Sequence, residues 1–447
     1  MERNKLLCYS ICRFFRIWLY IEKNNVDFGR VVVLDIKYDK AIPEDVVYII
    51  NHLEDEGYEA YMVGGCVRDM LLKKVPNDWD ITTNATPSIT KEIFEKLGLK
   101  VVPTGIKHGT ITVIINNNFY EITTYRIDGE YKDGRHPLKV SFTDKLKEDL
   151  RRRDFTINAM AYNPKEGFID YFNGVNDLDN RIIRTVGNPY DRFLEDGLRI
   201  MRAIRFSAQL DFPISAPTRE AIKNLSNKLD DISIERIREE FNKIILSNPL
   251  YINDLIELNI LNHIVTENII MEHRRDIKKG INCAKNIDKI LYLRLTMIFY
   301  DIEQYYDILK RLKYDNRTIE RVRVLIDNKY SLNHSKKQIK KVLSNIGEEA
   351  FKDLLKVHKV LSYYYPDRHK ENSLENLRLI EKTFEEVIRK KECFTIKELD
   401  IDGKQIMDMG VQGKRIGEIL EILLDKVIDN NNINNNLALK EIVKNII

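Results

Sequence analysis

Residues 61–69 read Tyr-Met-Val-Gly-Gly-Cys-Val-Arg-Asp, and residues 78–80 read Asp-Trp-Asp. These two stretches decide the fold class of the N-terminal part of the chain. The apolar run over 60–63 predicts a strand that ends in a glycine turn, and residues 79–82 predict a second strand. Together they predict a single site made of a strand, a glycine turn and a strand that carries two aspartates.

The aspartate pair and the glycine pair indicate what this site can bind. On a strand, residues two apart point to the same side, so Asp78 and Asp80 can hold a divalent metal ion together. Gly64 and Gly65 let backbone amides approach a triphosphate closely. An Asp-x-Asp spacing alone is more often a pair of solvated acids. The nucleotidyl-transfer chemistry that this order suggests therefore depends on the motifs further along the chain.

The composition predicts a soluble globular protein of several domains. The chain has 447 residues, of which 43% are hydrophobic and 32% charged, which excludes a disordered or membrane-embedded protein. Its net charge of +3 is the balance of many charges of both signs, so a nucleic-acid partner must be held by local basic patches. We expect no membrane partner, and the sequence leaves the oligomeric state open.

The cysteine pattern predicts a protein of the reducing cytoplasm, and the N-terminal stretch needs a separate interpretation. The five cysteines are scattered and form no Cys-x-x-Cys pair, which argues against a disulfide scaffold and a zinc ribbon. Residues 6–21 are apolar and aromatic, but Arg13 and Arg16 interrupt them and the run is short for a membrane span. We interpret residues 1–40 as an extension of unknown role, either dispensable or produced by a misassigned start codon.

The hydrophobic pattern divides the chain into an α/β part and a helical part. Strands are predicted at 60–63, 79–82, 110–115 and 119–125. Thr86 is predicted to cap a helix that follows the second strand. After about Arg181 the strand signal disappears, and apolar residues recur at three-and-four spacing. The predicted fold class is α+β and multidomain, with an α/β head that has a small mixed or antiparallel sheet, followed by helical domains.

Three adjacent arginines, residues 151–153, form the second informative element. Arginine is costly to bury, so these side chains either line the surface or face an anion such as a triphosphate or an RNA backbone. Asp154 beside them can accept a hydrogen bond from a sugar hydroxyl. The apolar residues within 155–161 predict that the charges are anchored at the wall of a pocket.

Residues 195–206 predict a helix with Asp196, Arg199 and Arg202 on adjoining turns of one face. A structural salt bridge is the simplest interpretation of this pattern. However, cytosine and adenine each show an amino donor beside a ring-nitrogen acceptor, so Asp196 and Arg199 can pair with either base. Guanine and uracil show the reverse order and would leave buried polar groups unpaired, at about 1–3 kcal/mol each. The same two residues can thus serve as a template for both C and A.

In this order, the motifs resemble those of class II tRNA nucleotidyltransferases, the CCA-adding enzyme family of the polymerase-β-like nucleotidyltransferase superfamily. The resemblance runs from about residue 42 to the end of the chain. The matching motifs are Gly64-Gly65-x-Val67-Arg68-Asp69 with Asp78-x-Asp80, Arg152-Arg153-Asp154-Phe155-Thr156-x-Asn158-Ala159, Asp170 to Gly174 with Asp177, Leu178 and Arg181, Glu195-Asp196-x-x-Arg199, and Ser233 to Glu240. The tail is similar in its glycines, Gly403, Gly410, Gly413 and Gly417.

The resemblance implies an enzyme built from four parts. It implies a catalytic head over residues 41–180, a helical neck over 181–250 that carries the nucleotide template, a helical body over 251–345 and a tRNA-binding tail over 346–447. The implied reaction is template-independent addition of CCA through two-metal nucleotidyl transfer, with release of pyrophosphate. The implied partners are the acceptor arm and 3′ end of tRNA, with CTP and ATP as substrates.

The resemblance also implies a metal site. Asp78 and Asp80 are the implied ligands of Mg²⁺, and Glu121 on a later strand is a third acidic candidate. Arg68 and Asp69 would organise this site from behind.

Nucleotide binding is the other implied role. Arg153 would meet the triphosphate and Asp154 the ribose. The implied nucleotide-binding residues are Gly64, Gly65, Arg68, Arg153, Asp154, Asp196, Arg199 and Arg202.

Two places depart from the family pattern. Gly197 stands where relatives usually have Pro or Ala, which predicts a first helical turn that is less stable by up to about 1 kcal/mol. Tyr300 stands where many relatives carry the histidine of a His-Asp metal site, and Glu303 and Gln304 replace Gly-Lys. Without a histidine ligand, we expect no phosphohydrolase activity.

Other functions remain open from the sequence. One alternative is an enzyme that adds only CC or only A. Another is a bacterial poly(A) polymerase, whose head is similar. The last is a module that binds RNA without catalysis. The segment 126–137, with Gly129, Tyr131, Asp133 and Arg135, resembles the loop needed for the final A and favours complete CCA addition. The presence of both Asp78 and Asp80 disfavours a non-catalytic module.

Overall fold

The computed structural model describes residues 42–129, 140–265, 267–329, 332, 334–365 and 374–447. The chain divides into two compact units, one ending at Ser233 and the other beginning at Ile234. This division falls inside the predicted neck, and the finer domain boundaries remain a prediction. Within the described ranges, no helix is both long enough and apolar enough to cross a membrane. The predicted N-terminal extension lies outside these ranges.

The first unit is built on a mixed sheet, as predicted. The strands are β1 Ala60–Val63, β2 Ile81–Thr83, β3 Lys100–Gly105, β4 Thr110–Ile115, β5 Asn118–Thr124, β6 Arg126–Asp128, β7 Val140–Phe142, β8 Met160–Asn163 and β9 Gly167–Asp170. In the described residues, seven of them form one sheet in the order β3-β4-β5-β2-β1-β8-β9, and β6 pairs with β7 separately. β2 and β5 are parallel, and the other neighbours are antiparallel.

The strands predicted at 60–63 and 110–115 match β1 and β4, whereas the second predicted strand was placed two residues too early. β2 begins at Ile81, so Asp78 and Asp80 lie in the segment that leads into it. The strand begins there because its hydrogen-bonded pairing begins at Ile81: residues 81–83 pair with β5 on one side and with β1 on the other. The N–H of Val63 still donates to the carbonyl of Asp80 at 3.0 Å, so the main chain remains attached to β1 at this point.

Five strands, β3, β6, β7, β8 and β9, were not predicted, and burial explains why three of them were missed. β3 has no buried residue along its length, so it lacks an apolar face. β8 is buried at every position, so it lacks the alternation that marks a half-buried strand. β9 follows it after a short turn and is buried from Phe168 to Asp170.

The first unit also contains eight α-helices in its described residues. They are α1 Glu44–Asp55, α2 Gly65–Leu71, α3 Pro87–Lys96, α4 Leu146–Arg151, α5 Gly174–Asp179, α6 Pro189–Glu195, α7 Leu198–Leu210 and α8 Ala216–Asn224. Helix α3 starts with Pro87 after Thr86, as predicted. One buried cluster joins β1, α4, β8 and β9 through Tyr61, Val63, Tyr125, Leu146, Leu150, Ala161 and Ile169. It fixes the position of α4 relative to the edge of the sheet where the aspartates lie.

The predicted loop over 126–137 is described only at its start. Arg126 pairs with Phe142 at the base of the β6–β7 hairpin. Gly129 lies just after β6, whereas Tyr131, Asp133 and Arg135 lie outside the described residues.

The described part of the second unit is helical, as predicted. The helices are α9 Ile234–Ser247, α10 Ile252–Glu257, α11 Leu261–Ile264, α12 Glu267–Lys285, α13 Leu291–Phe299, α14 Tyr305–Arg311, α15 Asn316–Asp327, α16 Lys336–Tyr364, α17 Leu374–Arg389, α18 Gly403–Asp408, α19 Arg415–Asp429 and α20 Asn436–Lys444. Helix α16 is kinked at Gly347, whose φ is 79°. A buried cluster that includes Ile406, Leu423 and Leu439 holds the last three helices together.

Candidate active site

Asp78, Asp80 and Glu121 lie at the same edge of the sheet. In the parallel pair β2–β5, Ile81 lies opposite Ile122, and Asp80 and Glu121 are the residues directly before them. All three carboxylate side chains are exposed at this edge. Burial raises the pKa of Glu121, and the negative charges of Asp80 and Asp78 raise it further. The three acids therefore form one electrostatically coupled group, and their role as metal ligands stays a prediction.

Asp80 is the most constrained of these acids. Although the residue as a whole is exposed, partial burial of its carboxylate raises its pKa. The charge of Asp78 acts in the same direction, and the guanidinium of Arg153 acts against both. Carboxylates that are held close together at a raised pKa gain stability when a cation binds between them.

The carboxylate edge suits a hard divalent cation that shares its ligands with a substrate. No three His, Cys, Asp or Glu side chains in the described ranges are grouped so as to hold a metal ion by themselves. Mg²⁺ is usually bound through one or two carboxylates together with substrate phosphates and water. Oxygen ligands without thiolate or imidazole favour Mg²⁺, Ca²⁺ or Mn²⁺. The donor set of Asp78, Asp80 and Glu121 fits such an ion.

The missing side chain of Gly64 leaves space for Arg153 beside the carboxylate of Asp80. Its φ of 78° and ψ of −129° mark the turn between β1 and α2, a conformation that other residues rarely adopt. A Cβ on Gly64 would lie 3.0 Å from Nη1 of Arg153 and 3.8 Å from Oδ2 of Asp80. The Nε of Arg153 is buried and has no hydrogen-bond partner. The guanidinium of Arg153 therefore lies beside the acidic edge, where it can bind a triphosphate.

A hydrogen-bonded chain links α2, the segment before β8 and α7. Arg68 donates from Nη1 to Oδ1 of Asn158 at 2.8 Å, and from Nε to Oδ1 of Asp69 at 2.9 Å. Asn158 donates from Nδ2 to Oδ1 of Asp154 at 3.3 Å. Arg202 donates to the other oxygen of Asp154 from Nε at 2.7 Å and from Nη2. Arg68, on α2 directly after the glycine turn, is thus held by Asp69 and Asn158, and its role in organising the metal site stays a prediction.

Asp154 is buried and engaged by protein groups in this structure. Its Oδ1 also accepts from the N–H of Phe155 at 2.9 Å. Burial opposes ionisation, but Arg202, Arg199 and Asn158 outweigh it and lower the pKa of Asp154 to about 2. Asp154 is therefore a carboxylate at neutral pH. Its contact with a ribose hydroxyl remains a prediction.

The helix predicted over 195–206 is interrupted, which corrects the sequence-based expectation. Helix α6 ends at Glu195, Asp196 adopts an extended conformation with φ −142° and ψ 105°, and α7 begins at Leu198. Oδ1 of Asp196 accepts from the N–H of Leu198 at 3.0 Å, so the aspartate, one residue before the cap Gly197, satisfies a main-chain donor of the first turn of α7. Aspartate favours such a position over a helix interior, which explains the break.

The structure does not bring Asp196, Arg199 and Arg202 together as one face. Arg199 is buried and donates from Nη1 to Oε2 of Glu195 at 2.5 Å and from Nη2 to the carbonyl of Arg152 at 2.9 Å. Arg202 instead contacts Asp154. Asp196 and Arg199 remain neighbours through a main-chain hydrogen bond of 3.0 Å. Their role as a base template stays a prediction.

Sequence reasoning missed Asp149 as a functional candidate. This residue is fully buried on α4 and accepts hydrogen bonds from Arg152 and Arg153. Its spacing of three and four residues from these arginines within a helical pattern was the available signal.

Family models match three consecutive parts of the chain. The "Poly A polymerase head domain" matches residues 60–184, the "Probable RNA and SrmB- binding site of polymerase A" matches 211–268, and "tRNA nucleotidyltransferase domain 2" matches 285–443. The first of these covers the sheet, the aspartates and the arginine cluster.

A similar protein extends over nearly the whole chain. The CCA-adding enzyme of Ligilactobacillus salivarius is 34% identical over 419 residues, which is 92% of this chain and 97% of that protein. The chain belongs to the CCA-adding enzyme family. The enzyme of that name from Lactobacillus delbrueckii subsp. bulgaricus is 52% identical over 198 residues, 44% of this chain. In that alignment the chain spans about half the length of its relative, 49%.

Solved structures of CCA-adding enzymes have the same fold. The Bacillus stearothermophilus enzyme in complex with CTP has a TM-score of 0.69 and 28% identity, and the match covers 86% of this chain and 92% of that one. A CCA-adding enzyme solved in complex with ATP has a TM-score of 0.65 at 24% identity, covering 93% of this chain and 99% of that one, a likeness of fold alone. Membership of this family implies a divalent metal.

Proposed function

We propose that this protein is a tRNA nucleotidyltransferase that adds CCA to the 3′ end of tRNA, using CTP and ATP and releasing pyrophosphate. The proposal rests on the family and on the carboxylates, glycine turn and arginines of the first unit. The B. stearothermophilus enzyme was solved with CTP, which supports CTP as one of the substrates. The third family model, named for tRNA nucleotidyltransferases, supports tRNA as the acceptor. An enzyme acting on tRNA before its use in translation belongs in the cytoplasm.

In this proposal, Asp78 and Asp80 would hold a divalent metal, Mg²⁺, and Glu121 adds negative charge at the same edge. Bound Mg²⁺ would activate the 3′-hydroxyl for attack on the α-phosphorus and neutralise the leaving pyrophosphate. A new bond joins O3′ to the α-phosphorus as the bond to the pyrophosphate oxygen breaks. Arg153 binds the triphosphate from the side of Gly64, where a guanidinium can donate two parallel hydrogen bonds to phosphate oxygens.

One observation carries the proposal: the predicted base-reading arginine and the triphosphate-facing arginine belong to one connected group. Arg199 donates to the carbonyl of Arg152 at 2.9 Å, and Arg153 is the next residue along the chain. Arg153 in turn lies beside Gly64 and Asp80. If Asp196 and Arg199 bind the base, then Arg199 is hydrogen-bonded to the residue that precedes Arg153, the arginine proposed to bind the triphosphate. This arrangement suits selection of a nucleotide without a nucleic-acid template.

A gel assay tests the proposal. Purified protein, MgCl₂ and tRNA transcripts that end before CCA, after C or after CC are each supplied with single labelled nucleotides. We expect two C and then one A to be incorporated, G and U to be refused, and Asp78→Ala to abolish incorporation. The variant Asp45→Asn is the matched control, because Asp45 is a carboxylate of the same unit that contacts Tyr120 and Asn116 instead of the acidic edge.

Each other product pattern identifies a different enzyme. Extension that stops at CC, or that begins only on the transcript ending in CC, would mark an enzyme that performs one part of the reaction. Long tails of A on any RNA would mark a poly(A) polymerase. The absence of any incorporation by a folded protein would contradict the proposal.

A further inference from the structure

Asp149 is a buried carboxylate of the first unit. It lies near the end of α4 and has no exposed surface. Burying a carboxylate is costly unless its charge is paired and its oxygens are hydrogen-bonded. Both conditions are met here, because two arginines, one hydroxyl and one main-chain N–H surround it.

The four partners of Asp149 come from three parts of the first unit. Arg152 donates from Nε to Oδ1 at 2.9 Å, and Arg153 donates from Nη2 to Oδ2 at 3.5 Å. Thr82, on the strand that follows the aspartate pair, donates from Oγ1 to Oδ2 at 3.3 Å. The N–H of Arg126, the first residue of β6, donates to Oδ1 at 3.3 Å. One side chain thus connects β2, both arginines and the base of the β6–β7 hairpin.

We propose that Asp149 is a positioning residue for nucleotide selection, which orients Arg153 toward the triphosphate and, through Arg152, orients Arg199 toward the base. This inference rests on the proposed function. Asp149 touches no substrate and acts only through the residues it holds. Its loss should therefore weaken nucleotide binding and selectivity more than it slows the bond-forming step.

The connection to Arg199 is a short relay. Asp149 binds the side chain of Arg152 through both Nε and Nη2, at 2.9 and 2.8 Å. The main-chain carbonyl of the same Arg152 accepts from Nη2 of Arg199 at 2.9 Å. A shift of Arg152 would move the acceptor that fixes the guanidinium of Arg199. Because Arg199 is itself buried, it has little freedom to compensate for such a shift.

The charges explain why a carboxylate is needed at this position. Two guanidinium groups share the single negative charge of Asp149, so positive charge remains available for an incoming triphosphate. Arg153 makes the longer of the two contacts, so its guanidinium can also face Asp80. Burial acts against the charge of Asp149, but Arg152 and Arg153 lower its pKa overall and keep it ionised.

The test compares wild type with Asp149→Asn in steady-state assays on tRNA that ends before CCA, with CTP and with UTP. We expect the KM for CTP to rise about tenfold with a smaller change in kcat, and the preference for CTP over UTP in kcat/KM to fall about tenfold. Titration of CTP in the absence of tRNA should show the same loss of affinity. Arg152→Lys keeps the positive charge but not the two-nitrogen contact, and we expect it to reduce selectivity in the same direction.

Asp177→Asn is the matched control. Asp177 is also a buried carboxylate of the first unit, and it accepts from Nε of Arg184 at 3.1 Å and from Oγ1 of Thr156 at 2.7 Å. We expect this variant to lower the melting temperature while keeping the KM for CTP and the selectivity of wild type. An equal rise in KM in the control would show that any loss of rigidity has the same effect, and would overturn the inference.

The outcomes separate this inference from the proposed function. A wild type that adds CCA, with a folded Asp149→Asn or Arg152→Lys that keeps wild-type KM and selectivity, overturns the role of Asp149 alone. If Asp149→Asn does not fold, Arg152→Lys decides the question. A wild type that adds no nucleotide to tRNA contradicts the proposed function, and CTP binding by the same variants still measures the role of Asp149.

Discussion

Arg202 donates two hydrogen bonds to Oδ2 of Asp154, from Nε at 2.7 Å and from Nη2. This pair joins helix α7 to the segment that leads into β8, and the other oxygen of Asp154 accepts from Asn158. Since Asn158 also accepts from Arg68, three motifs that are far apart in sequence share one network. The pair is largely buried on the side of Asp154, so its contribution is little screened by solvent.

The stability that Asp154 contributes should depend on acid pH. Its pKa falls from 3.8 in the unfolded chain to about 2 in the folded protein, so folding favours the ionised form. The contribution is therefore present above about pH 4 and is lost as the pH falls toward about 2, and it amounts to about 2 kcal/mol at neutral pH. The difference in unfolding free energy between wild type and Asp154→Asn should narrow over this window, measured by calorimetry in acidic buffers. A difference that stays constant with pH would contradict the assigned pKa.

Gly64→Ala should weaken nucleotide binding specifically. A Cβ at this position would lie 3.0 Å from Nη1 of Arg153, in the place where we propose that the triphosphate binds. We expect the KM for CTP to rise by about tenfold or more, because the arginine must move. Gly98→Ala is the control: Gly98 has a similar φ of 74°, but no atom lies within 4 Å of its added Cβ. Both variants should lose about 1–2 kcal/mol of stability through backbone strain, and only the first should change KM.

The three acids at the sheet edge should differ in importance. We expect Asp78→Ala or Asp80→Ala to reduce nucleotide incorporation by about 1,000-fold or more, because the metal loses one of its protein ligands. Glu121→Gln should cost less than about 100-fold, since it removes charge next to the metal. Single-turnover assays over a range of MgCl₂ concentrations measure both effects. A Glu121 variant as inactive as the aspartate variants would make Glu121 a full metal ligand.

Gly197→Ala should destabilise the first unit, which revises the expectation from sequence that this glycine only loosens the helix. A Cβ on Gly197 would lie 2.7 Å from the carbonyl oxygen of Lys228, so the two backbones approach too closely for a side chain. We expect a loss of about 1–3 kcal/mol in thermal or urea unfolding. The same change at Gly417, in a helix and with no atom within 4 Å, should be neutral or stabilising by up to about 1 kcal/mol. Equal effects at the two positions would disprove the role of the close approach.

We expect no metal-dependent phosphohydrolase activity. Tyr300 stands where the family resemblance implies a histidine ligand, and its ring lies edge-on to that of His358, with centroids 6.3 Å apart. An assay of 2′,3′-cyclic phosphate hydrolysis with added Ni²⁺, Mn²⁺ or Mg²⁺ checks this expectation. Robust metal-dependent hydrolysis by both wild type and Asp78→Ala would contradict this expectation and would show a second active site.

Local patterns were enough to predict much of the first unit. The strand Ala60–Val63 and the turn at Gly64 follow from an apolar run that ends in glycines, and a positive φ at Gly64 is what such a residue supplies. The helix after Thr86 follows from a proline in its first position. These features depend on neighbouring residues alone, so they are readable from a single sequence. The strands β3 and β8 were not readable in this way, because one is too exposed and the other too buried to alternate.

The sequence by itself determined the chemistry: two aspartates after a glycine turn, an arginine cluster and a carboxylate–guanidinium pair, in an order that resembles one family. Only the tertiary structure decided which of these groups meet. It placed Arg202 on Asp154 instead of beside Asp196, broke the predicted helix at Asp196, and put Asp149 between the two arginines. Residue types and spacing set the chemistry that is available. Long-range contacts between strands and helices decide which charged side chains pair, because a buried charge must pair with an opposite charge that packing places next to it.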